Sequence, residues 1–346
     1  MLLQKEADGD FRGESQALTG LGMAHEHLGN WKEAMRYYNR SLEIVRLLKD
    51  DDTLNSILNN LGNVYSSRGN FDEAIGYYQQ ALEISRRRRD RRGEEIAISN
   101  LGNTFLKLND FNGAIRCFKQ AIRLDRELGD LVGEATDYAN IGGVLQARGK
   151  LRLATTFFTK ALEIFHKSGY RRGELKVLYN LGKIHIDLDE IDLGMKFYFS
   201  SLDLSNKIGD RTMQIMTLNQ LGAIYLDLEK SEEAIDFFSK SLKIAREVDD
   251  LSNECQALGE LGNAYIISDD FRKAANAFKE CSDLARKIND PRREGIALYN
   301  FATALRELGH QKEASEQIDR ALAILYEIKY ENIEQLREYA KKFQGR

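Results

Sequence analysis

Seven glycines, Gly22, Gly62, Gly102, Gly142, Gly182, Gly222 and Gly262, stand forty residues apart, and Ala302 holds the eighth place. A fixed period of this length marks a repeat architecture, in which each unit is one supersecondary element that buries its apolar face only against its neighbours. A large apolar residue precedes each small one: Leu21, Leu61, Leu101, Ile141, Leu181, Leu221, Leu261 and Phe301. That pairing suits a helix crossed at close range by a partner helix. Ala34, Ala74, Ala114, Ala154, Ala234, Ala274 and Ala314 offer a second small surface in the same phase, with Gly194 as the smaller substitute. Tyr38, Tyr78, Phe118, Phe158, Tyr198, Phe238 and Phe278 then supply bulk to fill the gap between helices, and Ile318 weakens the last copy.

Composition agrees with helix throughout. The 346 residues contain one proline, Pro291, and one tryptophan, Trp31, while the strong helix formers Leu, Ala, Glu, Lys and Arg abound. Asp10, Asp50, Asp90, Asp130, Asp210, Asp250 and Asp290 recur where a carboxylate would accept the unpaired first-turn amides of a helix, and Tyr170 is the exception. Glu14, Glu94, Glu134, Glu174, Glu254 and Glu294 follow in the first turn, favourable beside the positive end of the helix dipole. Pro291 sits one place after its Asp, where a missing amide costs nothing. Within a repeat the first helix is expected to stop at Gly29, Gly69, Gly149 or Gly309. Asn30 or Asn70 should then open the second helix, with Glu33 or Glu73 completing a capping box. Each repeat is thus two antiparallel helices of about four to five turns.

Asn60-Leu61-Gly62-Asn63-Val64-Tyr65, continued by Ala74, Tyr78 and Ala81, resembles the tetratricopeptide repeat (TPR) family, and eight in-phase copies run from residue 11 to about 328. The forty-residue period exceeds the family's usual thirty-four. It is similar to the subfamily of Pins/LGN-type polarity adaptors, kinesin-light-chain-type and bacterial signalling TPR proteins. The resemblance implies an all-α solenoid, a right-handed superhelix of eight helix-turn-helix repeats with a concave binding groove. Residues 329–346 are expected to form a capping helix with Ile333, Leu336, Ala340 and Phe343 on its apolar stripe. Residues 1–10 align with the tail of a second helix, Ser41 to Asp50, and are expected to be a partial helix of a preceding repeat or an N-terminal extension.

One face of each first helix would line the inner surface. Two places before each repeat glycine stand Gly20, Asn60, Asn100, Asn140, Asn180, Gln220, Glu260 and Asn300; one place after stand Met23, Asn63, Asn103, Gly143, Lys183, Ala223, Asn263 and Thr303. Asparagine is a mediocre helix former, so its recurrence on one face needs a reason. Its amide carries a donor and an acceptor together, the combination that grips an extended peptide backbone, and in the family such ladders do that work. The expected peptide-binding set is Asn60, Asn63, Asn100, Asn103, Asn140, Asn180, Lys183, Asn263 and Asn300, with Tyr179 and Tyr299. The alternative is that asparagine here is repeat consensus, or that these amides bond across neighbouring first helices. Repeats two to four add Ser66, Ser67 and Gln146, whereas later repeats place Ile186, Met216, Leu226, Ile266, Ile267 and Ile296 at equivalent positions, either as apolar anchor sites or as packing under the next helix.

Other chemistries find little support. The carboxylate clamp of chaperone-binding TPR proteins would need Lys and Arg where Thr19, Asn59, Ser99, Ala139, Tyr179, Asn219, Gly259 and Tyr299 stand. The run Arg86 to Arg92, with Arg171-Arg172 and Arg292-Arg293, is interleaved with Asp90, Glu94, Glu95, Glu174, Asp290 and Glu294 and reads as a solvated rim rather than an acidic-partner site. His25-Glu26-His27 lacks the spacing of a zinc protease pair, and His25 and His185 occupy packing positions. Gly20-Leu21-Gly22 follows no strand, and Asp187, Asp189 and Asp192 lack a calcium loop's ligand spacing. Cys117, Cys255 and Cys281 are odd in number and suggest neither a disulfide framework nor a metal knuckle, which fits a reducing cytoplasm. A net charge of −4 gives no field drawing the chain to nucleic acid or membrane, and no apolar run is long enough to span one. The expectation is a cytoplasmic protein-binding scaffold without cofactor, metal or catalytic residues. The alternative is a ligand-sensing regulatory domain of a larger bacterial signalling or defence protein.

Overall fold

The structure, a computed structural model, describes residues 10–344, the side chains at 339 and 341–344 excepted. Residues 1–9 of the expected partial helix and the side chain of Phe343 lie outside the described residues. All regular structure among the described residues is helical. The helices are α1 (Phe11–His27), α2 (Trp31–Leu48), α3 (Asp51–Ser67), α4 (Phe71–Arg88), α5 (Arg91–Lys107), α6 (Phe111–Leu128), α7 (Leu131–Ala147), α8 (Leu151–Ser168) and α9 (Arg171–Asp187), followed by α10 (Ile191–Ile208), α11 (Arg211–Asp227), α12 (Ser231–Glu247), α13 (Leu251–Ile267), α14 (Phe271–Lys287), α15 (Pro291–Glu307), α16 (Gln311–Glu327) and α17 (Ile333–Gln344). Odd-numbered helices from α1 to α15 are the first helices of the eight repeats. The chain divides into two compact units, one ending at Leu188 and one beginning at Asp189.

Every connection follows one design. Nine non-glycine and seven glycine residues, spaced twenty apart from Gly29 to Lys329, take positive φ. A single left-handed residue ends a helix and turns the chain within one or two positions. The following residue then sends its amide back to the previous helix, as Asp90 does to the Ser85 carbonyl at 2.9 Å. All seven expected aspartates accept a first-turn amide; Asp90 takes that of Gly93 at 3.0 Å. Tyr170 caps nothing with its side chain and instead leans on Phe165, ring centroids 5.5 Å apart.

The second-helix starts depart from expectation. Asn30 and Asn70 stand at the cap position, but their side chains make no capping bond, so no capping box forms with Glu33 or Glu73. The box needs a free amide on the cap residue, and here that amide is spent: Asn30 N donates to the His25 carbonyl at 2.8 Å and Asn70 N to Tyr65 at 3.0 Å. A neutral amide oxygen is also a weaker acceptor than a carboxylate. Asp110 and Asp270 at equivalent places do accept, from Gly113 at 2.9 Å and Lys273 at 3.1 Å.

Inside a hairpin the repeat glycine makes room for the aromatic ring of the second helix. A Cβ added at Gly62 would meet Tyr78 at 2.5 Å, and one added at Gly222 would meet Phe238 at 2.6 Å. These rings are fully buried, and each contributes about 1.5–3 kcal/mol through the apolar surface it removes from water. Cores then span repeats: Tyr38, Leu42 and Val45 of α2 pack with Ile57, Leu58 and Leu61 of α3. His25 stacks on Tyr37 at 5.3 Å, as Tyr65 does on Tyr77 at 5.2 Å and Tyr225 on Phe237 at 5.2 Å, which accounts for His25 as a packing residue. Within the first unit α1 touches α3, α3 touches α5 and α7 touches α9; within the second, α11 touches α13 and α13 touches α15. Successive first helices therefore share a face in each unit, and that face carries the asparagines. In α17, Ala340 is buried in a cluster with Phe301 and Ile318, while Ile333 and Leu336 are half-buried.

Candidate functional site

In the unit ending at Leu188, Asn60, Asn100, Asn140 and Asn180 are all half-buried at the same turn of successive first helices, and Asn103 and Lys183 are exposed one turn away. Some amides are used internally. Asn100 Nδ2 reaches Asn59 Oδ1 on the preceding first helix at 3.4 Å, Asn140 Nδ2 reaches Asp137 Oδ1 at 3.4 Å, and Asn63 Oδ1 accepts the Tyr78 hydroxyl at 2.7 Å. Ser66 is buried and takes Lys107 Nζ at 3.1 Å, whereas Ser67 is exposed. The side chains of Asn60, Asn103 and Asn180 hydrogen-bond to no other described residue. Helix α7 contributes unusually small residues here, Ala139 and Gly143, and the space they leave is a cavity of about 420 Å³ between α7 and α9. Asn140, Gln146 and Asn180 line it with amides, Phe158 and Phe165 give it an apolar floor, and Arg172 and Lys176 bring positive charge. Tyr179 is half-buried, and burial raises its phenol above the usual range.

In the unit beginning at Asp189, a smaller cavity of about 180 Å³ lies between α13 and α15 and is lined by Glu260, Asn263, Ile296 and Asn300, with Arg293 and the Cys255–Cys281 pair. Burial pushes the Glu260 carboxyl up, and a hydrogen bond from Asn263 pulls it partly back. Tyr299 is half-buried. Of the apolar residues expected on this face, Leu226 packs against the Phe238 and Leu261 cluster and Ile266 against Phe278 and Phe301. Met216 and Ile267 remain exposed. The helix rotation that decides between packing and exposure cannot be read from a repeat pattern alone.

Three features escaped the sequence reading. Five first-turn glutamates or their neighbours form a repeated clamp: Arg86–Glu94 at 2.9 Å, Arg126–Glu134 at 2.7 Å, His166–Glu174 at 2.9 Å, Arg246–Glu254 at 2.7 Å and Arg286–Glu294 at 2.8 Å, each joining a second helix to the next first helix. The arginine run is likewise matched, with Arg87 on Asp51 at 2.6 Å, Arg88 on Asp52, Arg91 on Glu94 at 3.0 Å and Arg92 on Asp130. Second, Cys255 and Cys281 meet inside the α13–α14 hairpin with Sγ atoms 3.0 Å apart. Third, Glu95, Asp125 and Asp137 converge from α5, α6 and α7. Burial, then the neighbouring Glu95 and Asp130 carboxylates, push Asp125 up to about 7; burial, then Asp125 and Glu95, push Asp137 up to about 8. The only local signal was an eight-residue spacing from Arg or His to Glu; the other two meetings join side chains of different helices, 26 residues apart for the cysteines and 12 to 42 for the acids.

Among the described residues no helix is long and apolar enough to cross a membrane. The family profile described as tetratricopeptide repeat matches residues 13–84, 53–127, 174–247, 213–287 and 253–327. No curated protein sequence gives a significant match. Among solved structures, the signal transduction ATPase with numerous domains (STAND) protein with a tetratricopeptide repeat sensor from Pyrococcus horikoshii superposes with a TM-score of 0.73 at 20% identity, over 96% of this chain and 50% of that one. Aspartyl phosphate phosphatase F from Bacillus subtilis gives 0.63 at 18% identity, over 83% of this chain and 74% of that one. A Rap protein complexed with Competence and Sporulation Factor gives 0.55 at 15% identity, over 83% of this chain and 80% of that one.

Proposed function

The chain belongs to the tetratricopeptide repeat family, and on that footing we propose that it is a protein-interaction scaffold, a binding module and not a catalyst, that takes an extended peptide on its first-helix face. The observation that carries this reading is the cavity between α7 and α9, where Asn140 and Asn180 flank an apolar floor and Arg172 and Lys176 supply charge. Amides at that spacing serve the backbone of an extended ligand, the floor accepts an apolar side chain, and the cations favour an acidic residue beside it. Asn60, Asn100 and Asn103 extend the same face toward α3, and Lys183 toward the end of α9. Asn63 serves the hairpin through Tyr78 and plays at most a secondary part. In the second unit Asn263, Asn300 and Tyr299 occupy the corresponding face of their own first helices and would serve a ligand there in the same way. Residues 11–328 form the repeat body on this reading, 329–346 its cap, and the three cysteines suit a reducing cytoplasm.

The test is a pull-down comparing the intact chain with a variant carrying Asn60→Ala, Asn100→Ala, Asn140→Ala and Asn180→Ala. Loss of the recovered partner with unchanged helicity supports the groove; equal recovery by both sinks it. A second reading, a sensory domain regulating an effector on a longer polypeptide, is favoured by the STAND protein, of which this chain spans half the length. The full coding sequence separates the two, since the regulator requires an effector domain on the same polypeptide.

A further inference from the structure

Repeats three and four break their own pattern at three positions that meet. Where Glu95 stands, the other repeats carry Ser15, Asn55, Ala135, Leu175, Ile215, Cys255 and Gly295; Asp125 replaces residues such as Ser85, Ser205 and Ala245, and Asp137 replaces Ala97, Val177 and Ala257. Seven other copies of the fold therefore manage without a carboxylate at each place. Here three acids are introduced together, and their carboxylate oxygens lie within 4.8 Å of one another. Asp125 is fully buried, Asp137 is 2% exposed and Glu95 9%.

Both Asp125 oxygens are buried and accept no hydrogen bond. A buried carboxylate left without donors is costly, and two more acids beside it raise that cost. The nearest cation, Arg92, is engaged at the rim by Asp130 and by Glu95 at 3.7 Å. Ser99 Oγ lies 3.1 Å from Glu95 Oε1 and 3.4 Å from Asp137 Oδ2, facing the same space. The residues thus present several hard oxygen ligands around one point, where Glu95 and Asp137 have partial partners and both Asp125 oxygens have none.

We propose that Glu95, Asp125 and Asp137 form a binding site for one divalent cation of about calcium's size, which ties α5, α6 and α7 together. An all-oxygen ligand set selects hard cations over zinc or copper. Calcium binds oxygen at about 2.3–2.6 Å and tolerates irregular geometry, so small side-chain shifts close this triangle around it; magnesium's contacts of about 2.0–2.1 Å in a strict octahedron suit it less well. Two positive charges from the ion offset most of the charge of the three carboxylates, and Arg92, shared with Asp130, offsets part of the rest. Ser99 and water complete the shell, and Asp137, held in place, steadies the Asn140 amide that it accepts from.

The experiment is a thermal melt of the full chain after EDTA treatment and dialysis, with and without millimolar calcium, manganese or magnesium chloride. Calcium or manganese is expected to raise Tm by at least about 3 °C. The response should vanish in a variant combining Glu95→Ala, Asp125→Ser and Asp137→Ala, which restores residues the other repeats already accommodate, so folding is preserved. Asp125→Asn alone, of the same shape, should weaken it at least tenfold in the midpoint cation concentration. No response to any of the ions, a response to magnesium alone, or an equal response in the Asp125→Asn chain overturns the proposal.

Discussion

Gly102 lies beneath the ring of Phe118, so close that a Cβ added there would come within 2.7 Å of the ring edge. The same relation joins Gly22 to Tyr38, Gly62 to Tyr78, Gly142 to Phe158, Gly222 to Phe238 and Gly262 to Phe278. Gly102→Ala must push a fully buried ring out of its seat, and overpacking of this kind costs about 1–3 kcal/mol. Gly143→Ala, in the middle of α7 with open space around it, should instead stabilise by up to about 1 kcal/mol through helix propensity. Paired thermal melts check both signs. Because stacked repeats need not melt as one unit, hydrogen exchange in α5 and α6 localises the first effect. A Gly102→Ala chain as stable as the parent would show that the ring yields freely.

The contacts legible in the sequence are those that every repeat makes with itself at a fixed offset. Gly62 and Tyr78, or Asp90 and the amide of Gly93, appear again forty residues later, so repetition announces them before any geometry is known. What repetition cannot announce is a contact between positions where one repeat differs from the rest. Glu95 reads in the sequence only as one of the acids beside the arginine run, Asp125 and Asp137 carry no signal at all, and only the stacking of three helices brings them together. Asn100 illustrates the intermediate case. Its place on the first-helix face is readable from the period, but its bond to Asn59 depends on how far one first helix is rotated against the next. The capping boxes expected at Asn30 and Asn70 fail for a different reason: the amide that Glu33 or Glu73 would reach is spent on the preceding connection, as it is at Asp110 and Asp270, and the neutral Asn oxygen does not take the first-turn bond that those carboxylates accept.

The clamps between repeats should carry measurable stability. Arg126 Nε holds the buried Glu134 carboxylate at 2.7 Å and its Nη2 donates to the Tyr138 hydroxyl at 2.7 Å. Arg126→Ala strands a carboxylate that has little access to water, a loss softened by the solvent exposure of the guanidinium to about 1 kcal/mol. Lys207→Ala, which removes only an exposed pair with Asp203, should cost no more than about 0.5 kcal/mol. Melts of the two variants at low and high salt make the comparison. If both lose equally, the clamp adds nothing beyond an ordinary surface pair.

The two thiols of the α13–α14 hairpin give a chemical prediction. Cys255 and Cys281, with Sγ atoms 3.0 Å apart and both side chains buried, should form an intramolecular disulfide on treatment with diamide, which takes up the two hydrogens released. Mass spectrometry of the intact chain would register the loss of those two hydrogens, and peptide mapping would join α13 to α14. Cys117, on α6, should stay reduced, since burial pushes its thiol up to about 11 and little thiolate is present near neutrality. A map showing Cys117 in the crosslink would contradict this arrangement.

The Glu260 carboxyl supplies a stability effect whose sign follows from its surroundings. Burial raises its pKa in the folded chain, and the Asn263 hydrogen bond only partly offsets that. A raised carboxyl binds its proton more tightly when folded than when unfolded, so the residue's contribution is fully present only below the pKa of an unfolded glutamate. That contribution is lost as pH rises through the folded value, leaving an ionised group in a poorly hydrated place at neutrality. Glu260→Gln removes the charge and keeps the shape and the partner. Its Tm should exceed that of the parent at about pH 7.5, and the two melting curves should converge at about pH 4, where an ordinary glutamate is already largely protonated. A variant less stable than the parent at pH 7.5 would mean that Glu260 makes a favourable contact as an anion, and its place on the cavity wall with Arg293 would then name the partner.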